Sequence, residues 1–438
     1  MERTILARAV AHSEQERRKR NLPSSPSSFS FEQKKRRKQM KKTALVVLLI
    51  TISGIVAYAQ PARIIAPPST LLNTPGMAHT HLFVYIPEGG ATPAIPNGET
   101  PASVACLYGV VPPTQGCPKS GSLLSTGGAK AIAVVDYGNY SALQSDFNAY
   151  NAQWGLPAQT LKIVCYPGPT CPNNSGSGWD LETALDVEIA HALAPNAQIY
   201  VAEFTNDPLD DQAVQKIAAL MATTYGGGEV SNSWTYNGGE NWCGSGNCEL
   251  SYDSQFAQPG IVYFAAAGDA GAQVNYPCVS PNVACAGGTH VNRDGSGNFL
   301  GTEACWSGSG GGISQYEPLP SYQGLTAVNL RRGIPDYSAV ANPSTGVAVY
   351  NTPYCHGWCV VGGTSVSSPL MAAYVNNAGN FRTNTVTQLT QQYKWYGLTL
   401  TSYATYYRDV TTGSNGHPAG KGWDQCTGLG SPIKPSGF

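Results

Sequence analysis

Val361-Gly362-Gly363-Thr364-Ser365-Val366-Ser367-Ser368-Pro369-Leu370-Met371-Ala372-Ala373-Tyr374 is the stretch around which the chain is organised. A glycine pair leads into Thr-Ser and then into a run of helix-forming residues. Glycine lets the backbone bend tightly and lets another chain approach closely. A serine just before a helix holds its hydroxyl near the N-terminus, where backbone N–H groups point outward. That position suits attack on a carbonyl and stabilisation of the oxyanion that results. Pro369 fits the first turn of such a helix, where a missing N–H costs little. The bland alternative is that Ser365 and its neighbours only cap a helix.

Working outward, short apolar runs alternate with helical ones. Ala131 to Val135 reads as a buried strand, 142–153 as a helix, 161–164 as a strand and 180–194 as a helix with Asp180 as N-cap. Strands follow at 199–202, 229–234 and 261–266, with a helix over 210–223 between the first two. This alternation predicts an α/β fold with a doubly wound, mostly parallel sheet carrying helices on both faces. Sites in such sheets form at the carboxyl ends of the strands. The Pro- and Gly-rich residues 60–99 read as an N-terminal arm that wraps the domain, and Ser307 to Gly312 as a flexible loop.

The first 59 residues differ in kind. They hold 13 of the 26 Lys and Arg and only 4 of the 27 Asp and Glu, which leaves 13 basic against 23 acidic residues, net −10, in residues 60–438. Met40-Lys41-Lys42, an apolar run from Ala44 to Val56 and the small residues Ala57 and Ala59 have the plan of a secretory signal peptide cleaved before Gln60. The run is short for a membrane span of about 20 residues, so no stable membrane association is expected after cleavage; an uncleaved anchor is the alternative. Residues 1–39 read as a basic extension upstream of a start at Met40, against the sharper alternative of a nucleic-acid-binding tail; no nucleic-acid partner is expected. A secreted monomer follows. Export fits the twelve cysteines, all beyond residue 105. Spacing suggests Cys106–Cys117, Cys165–Cys171, Cys243–Cys248, Cys278–Cys285 and Cys355–Cys359, leaving Cys305 and Cys426, although spacing does not fix connectivity. Paired CxxC knuckles for zinc are missing.

Three carboxylates could serve Ser365. Glu182 and Asp186 stand four apart and share a helix face. In a cleft, one could act as base while the other orients it; on a generic surface the pair would simply be solvated. Glu188 competes as a base. Asp269, between glycines just beyond the strand 261–266, is either a turn residue or, protonated, a donor to a developing oxyanion. Near the C-terminus, Asp409 and Asp424 flank a Gly/Ser/Asn loop; two carboxylates with backbone carbonyls suit a hard cation such as Ca2+, against the reading of two turn aspartates.

Over roughly residues 100–433 the chain resembles the sedolisins, the serine-carboxyl peptidases, whose fold is subtilisin-like. The resemblance rests on motifs in order: Ala133-Val134-Val135-Asp136-Tyr137, Glu182-Thr183-Ala184-Leu185-Asp186-Val187-Glu188, Ala192-Leu193-Ala194-Pro195, Ser231-Asn232-Ser233-Trp234, Ala267-Gly268-Asp269, Arg332-Gly333-Ile334-Pro335-Asp336, Gly363-Thr364-Ser365 and Gly422-Trp423-Asp424-Gln425-Cys426-Thr427-Gly428. It implies Ser365 as nucleophile, Glu182 as general base, Asp186 as its orienter and Asp269 as oxyanion donor. It also implies calcium held by the Asp409 and Asp424 side chains and the carbonyls of Val410, Gly420 and Gly422, with polypeptides as substrates. Carboxyl groups suit acid conditions, since an imidazole of reference pKa about 6.5 is protonated there. Sedolisins generally carry a large prodomain that aids folding and blocks the site; here about 40 residues separate the expected cleavage from the peptidase-like region. Two rivals remain: a Ser-His-Asp peptidase using Asp136, His290 and Ser365, and a secreted peptide-binding protein without activity on the same fold.

Overall fold

The computed structural model describes residues 61–88, 97–244, 247–324, 326 and 330–438. The expected basic extension and signal peptide lie outside the described residues. In chain order the elements that position the site are β1 (Arg63–Ile65), α1 (Pro68–Leu71), β2 (Ala78–Thr80), β3 (Phe83–Ile86), α2 (Pro101–Leu107), β4 (Ala131–Tyr137), α3 (Leu143–Trp154), β5 (Lys162–Tyr166), α4 (Trp179–Leu193), β6 (Gln198–Phe204), α5 (Ala213–Tyr225), β7 (Gly228–Asn232), β8 (Trp234–Tyr236) and β9 (Ile261–Ala266). They continue with β10 (Ala284–Arg293), β11 (Phe299–Cys305), β12 (Gly312–Pro318), β13 (Arg331–Ile334), β14 (Tyr337–Val340), β15 (Val347–Asn351), β16 (Gly357–Gly362), α6 (Thr364–Ala378) and α7 (Thr385–Leu398).

The central sheet runs β11-β10-β9-β7-β4-β6-β5, with β14 beside β10. Every pairing in it is parallel except β10 with β11. Residues of β4 and β9 are apolar on both faces because helices cover both: α4 and α6 pack on one side and α5 on the other. Two buried clusters result. One gathers Leu181, Leu185, Leu370 and Tyr374 with the sheet residues facing them; the other gathers Ile217, Met221, Tyr263 and Trp234. The winding direction reverses between β4 and β7, which opens a crevice at their carboxyl ends.

Several local expectations change. Asp180 is not the N-cap of α4; the cap is Gly178, and Asp180 lies inside the helix, where its Oδ1 accepts the Gly178 N–H at 2.9 Å. Pro369 sits inside α6, which starts at Thr364. A proline there leaves the Ser365 carbonyl without its helical donor, and Ser233 Oγ approaches that oxygen at 3.4 Å. The glycine-rich run is packed, not loose: Ser309 to Gly312 are buried, and a Cβ on Gly310 would meet the Ala267 carbonyl oxygen at 1.9 Å. The arm is woven into the domain. Its β3 joins β1, β16 and β15 in a four-stranded sheet, and β2 pairs with β8. The five cysteine pairs suggested by spacing are joined, and so are the two cysteines they left over, Cys305 and Cys426. Among the described residues no helix is long and apolar enough to cross a membrane.

Candidate active site

β16 ends in Gly362 and delivers the chain to Gly363, whose φ of 121° is open to glycine and strained for other residues. The turn puts Ser365 in the first turn of α6, fully buried. Ser365 Oγ lies 3.0 Å from Glu182 Oε2 and can donate to it. Glu182 projects from the first turn of α4, which packs against α6. One turn further along α4, Asp186 accepts the Ser233 hydroxyl at 2.9 Å through Oδ1. Glu182 and Asp186 are fully buried, and Glu182 Oε1 and Asp186 Oδ2 have no N–H or hydroxyl partner. A proton held by Glu182 and offered to Asp186 satisfies both groups.

The electrostatics support shared protons. Burial, then the neighbouring Asp186 and Asp136, push Glu182 well above the ordinary carboxyl range; the Ser365 hydrogen bond opposes this. Burial and then Asp136 push Asp186 up as well. Asp136, at the end of β4, is pushed up to about 7 by burial. Opposite it in register, Glu203 on β6 is raised by burial and by Asp136. Four buried carboxyl groups thus meet at the carboxyl ends of adjacent strands and the facing helix.

Asp269 approaches Ser365 from the loop after β9. Its Oδ1 accepts both the Thr364 N–H and the Thr364 hydroxyl at 2.8 Å, while Oδ2 has no partner. Burial raises this carboxyl to about 7 against those two bonds. Thr364 Oγ1 also accepts the Gly268 N–H at 3.0 Å, which fixes the loop to α6.

The structure therefore brings together Ser365, Glu182, Asp186 and Asp269, and leaves Glu188 outside: its Oε2 accepts the Tyr350 N–H at 3.0 Å. The Ser-His-Asp arrangement is not formed. The His290 ring approaches Thr345 Oγ1 at 3.5 Å and makes no bond to Ser365 or Asp136. Reading the sequence assigned no part to Ser233, Glu203 or His81. Ser233 stood in a quoted motif without a role. His81, in the arm, bonds Ser365 twice through its backbone: its N–H to Oγ and its carbonyl oxygen to the Ser365 N–H, both at 3.2 Å.

The C-terminal carboxylates converge on one turn. Asp409 accepts the Gly422 N–H at 3.1 and 3.2 Å, and Asp424 Oδ2 accepts the Gly420 N–H at 2.9 Å. Asp424 Oδ1 takes the N–H groups of Cys426 and Thr427 at 2.8 Å. Among the described residues no group of three or more His, Cys, Asp or Glu could hold a metal ion. The donor set on offer is two carboxylates and backbone carbonyls, which is oxygen chemistry.

No family model matches the chain. Kumamolisin of Bacillus sp. (strain MN-32) is 30% identical over 383 residues, covering 79% of this chain and 64% of kumamolisin. Sedolisin of Pseudomonas sp. (strain 101) is 26% identical over 337 residues, covering 68% of this chain and 56% of sedolisin. The chain thus spans 64% or less of the length of these curated relatives. Among solved structures, Pseudomonas sedolisin (serine-carboxyl proteinase), complexed with two molecules of pseudo-iodotyrostatin, matches with a TM-score of 0.61 at 22% identity, covering 77% of this chain and 95% of that one. The shared fold is the α/β, mostly parallel arrangement described above.

Proposed function

Since the chain belongs to the sedolisin family, we propose that it is a serine-carboxyl endopeptidase that cuts polypeptides in acid. One observation carries the reading: a buried serine hydroxyl 3.0 Å from a buried carboxylate, with no imidazole bonded to either. Ser365 Oγ attacks the carbonyl carbon of the bond to be cut, and Glu182 takes its proton. Asp186, steadied by Ser233, orients Glu182 and takes up the proton that Glu182 held towards it as Oε2 receives the serine's. The carbonyl oxygen becomes negative between the Ser365 N–H and the Asp269 carboxyl, which donates its own proton through Oδ2. Glu182 returns its proton to the leaving amine, and water then hydrolyses the ester on Ser365.

Calcium fits the C-terminal turn. Asp409 and Asp424 side chains with the carbonyls of Val410, Gly420 and Gly422 would hold it, and the ion would neutralise two neighbouring acids beside the Cys305–Cys426 bridge. The six disulfides suit an oxidising, extracellular setting. The test is digestion of casein at about pH 3–5, where carboxyl groups titrate, by the wild type and by Ser365→Ala and Glu182→Gln. Loss of digestion in both variants is expected. Full digestion by either would end the assignment.

A further inference from the structure

A cavity of about 260 Å³ lies beside Asp269, and Tyr236, Asn237, Gly238, Gln273 and Asn275 form part of its lining. Asn237 and Gly238 begin the excursion from β8 to β9, whose described residues form only the short turns Gly239–Asn241, Cys248–Ser251 and Asp253–Phe256. Gly238 and Gly239 have φ of 115° and 62°, a path that glycine permits without enforcing it. Side chains must therefore hold this wall in place. Trp242 stacks on Tyr236 with ring centres 3.8 Å apart and packs against Tyr252 and Tyr276. The Tyr316 hydroxyl, on β12, donates to Asn241 Oδ1 at 2.6 Å.

The remaining ties run through four carboxyl groups in two pairs. Glu240 accepts the Ser314 hydroxyl of β12 through Oε1 and the Gln315 N–H through Oε2, the latter at 3.0 Å. Its carboxyl group is also within hydrogen-bond reach of Glu249. Asp253 Oδ1 accepts the Tyr276 hydroxyl at 3.4 Å, and its carboxyl group meets that of Glu317 on β12. Glu249 is fully buried, and no N–H or hydroxyl among the described residues reaches either of its oxygens. Glu317 Oε1 is likewise buried without such a partner. The partners place the protons. Glu240 and Asp253 receive other donors and carry the charge; Glu249 and Glu317 hold a proton each and donate it to them.

The nearby cations do not stand in for these protons. Arg332 faces Asp253 and Glu317, but both its terminal nitrogens are on Asp336. Arg331 faces Glu240 from the exposed end of β13 and donates to the Tyr316 carbonyl. Tyr276, which faces Asp253, Glu317 and Glu249, is kept neutral by its own burial. Burial and then Glu240 push Glu249 up to about 9; burial and then Asp253 push Glu317 up to about 8. Both folded values lie above the ordinary carboxyl range. The stabilisation is therefore complete below about pH 4.5 and is lost as pH rises through 8 and 9.

We propose that the Glu240–Glu249 and Asp253–Glu317 pairs are a proton-operated latch that ties the cavity wall at Asn237 and Gly238 to β12 in acid and releases it toward neutrality. As control over the candidate active site the inference rests on the peptidase reading above; the latch itself is a property of the fold. Once its proton leaves, each pair sets two carboxylates against one another in a buried place. The β12 side is the anchored one, since Gly310 just before it packs on the Ala267 carbonyl. The excursion is the side that gives way, and the wall beside Asp269 goes with it, so substrate is held only while the pairs keep their protons.

The experiment compares the wild type with the double replacement Glu249→Gln and Glu317→Gln, whose amides donate the same hydrogen bonds and do not titrate. Hydrogen-exchange protection of amides 237–244, corrected for intrinsic exchange, is read from pH 5 to 8. In the wild type it should fall about tenfold per pH unit for each carboxyl; in the double variant it should stay level. KM for a chromogenic peptide should rise about tenfold toward neutrality in the wild type, as the latched fraction drops to about a tenth, and stay flat in the variant. The fall of kcat that belongs to Asp269 should persist in both. Equal wild-type protection at pH 5 and 8, or the same fall in both proteins, overturns the latch. Matching KM curves overturn its hold on substrate and spare the peptidase reading. If the double variant does not fold, each single replacement should halve the wild-type slope, and an unchanged slope overturns the latch. A wild type that digests nothing at any pH removes the peptidase reading, and exchange alone then decides the latch.

Discussion

Replacing Asp269 by asparagine and by alanine separates a proton donor from a mere turn residue. Oδ1 is committed to the Thr364 N–H and hydroxyl, so the proton of the neutral acid belongs on Oδ2, the oxygen left without a partner and proposed to meet the oxyanion. Alanine removes that donor and should lower kcat by about 10²–10³, the effect of roughly 3 kcal/mol at one oxyanion contact. Asparagine keeps the acceptor for Thr364 and puts an N–H where the acid had its O–H. It should retain most of the activity in acid. The two also differ with pH. Burial raises the wild-type carboxyl to about 7. Above that value the protonated fraction, and with it kcat, should fall about tenfold per pH unit. Loss of the proton also sets a negative charge against the developing one. The asparagine amide does not titrate, so its alkaline limb should disappear and its optimum should move upward, with circular dichroism confirming folded protein at each pH. The assay is kcat on a chromogenic peptide from acid to mildly alkaline pH. An asparagine variant as damaged as alanine throughout, or an alanine variant with full kcat, would refute the reasoning.

Other perturbations test other links. Glu229, fully buried on β7, accepts the Asn376 amide through Oε2, and burial pushes its carboxyl up to about 8. Its folded value lies above the unfolded one, so its stabilisation is complete below about pH 4.5 and is lost as pH rises toward 8, an effect of order 4–5 kcal/mol. Glu229→Gln should therefore flatten the fall of Tm with pH; an unchanged slope would remove this carboxyl from the account. His290→Ala should digest casein normally while Glu182→Gln is silent, and the opposite pattern would restore an imidazole mechanism. Arg332 is fully buried and its two terminal nitrogens meet both oxygens of Asp336 at 2.7 and 2.9 Å. Arg332→Leu leaves that acid uncompensated and should cost about 3–5 kcal/mol in urea unfolding, where a change under 1 kcal/mol would contradict the desolvation argument. His79 is lowered to about 4 by burial, with His81, Asp269 and Tyr236 the other titratable groups lining the same cavity; His81 beside it is pushed down by burial and by His79. Its neutral form favours the seated arm above pH 6.5 and the advantage drains away toward pH 4, by about 3 kcal/mol. Protection factors of the β2 amides, corrected for the slower intrinsic exchange in acid, should fall over that interval, and equal protection at both ends would oppose it.

What could be read in the sequence was what is settled locally. Ala131 to Val135 and Ile261 to Ala266 are continuous apolar runs of strand length, and both are central strands covered on two faces. Glu182 and Asp186 declared their shared face by spacing alone. The start of α6 was misplaced because its cap is not local. Gly363 has no side chain to offer, and the acceptor for the Thr364 N–H is Asp269, 95 residues away. With that partner unseen, Pro369 looked like the first turn. The carboxyl cluster was hidden for a related reason: Asp136 meets Glu203 only through the β4–β6 register, which no single strand encodes.

The arm shows the limit most clearly. Leu82 to Ile86 is apolar enough to predict burial, but a five-residue run does not name its partner strand. Which strand accepts it fixes where the preceding residue falls. Pairing β3 with β16 brings Phe83 opposite Gly362, only three residues before Ser365, so His81 must land near that serine if the chain stays extended. Pairing β2 with β8 then holds the other side. Two registers, each decided by tertiary packing, thus convert an unremarkable Thr80-His81-Leu82 into a peptide bond laid across the candidate serine, 284 residues distant in sequence.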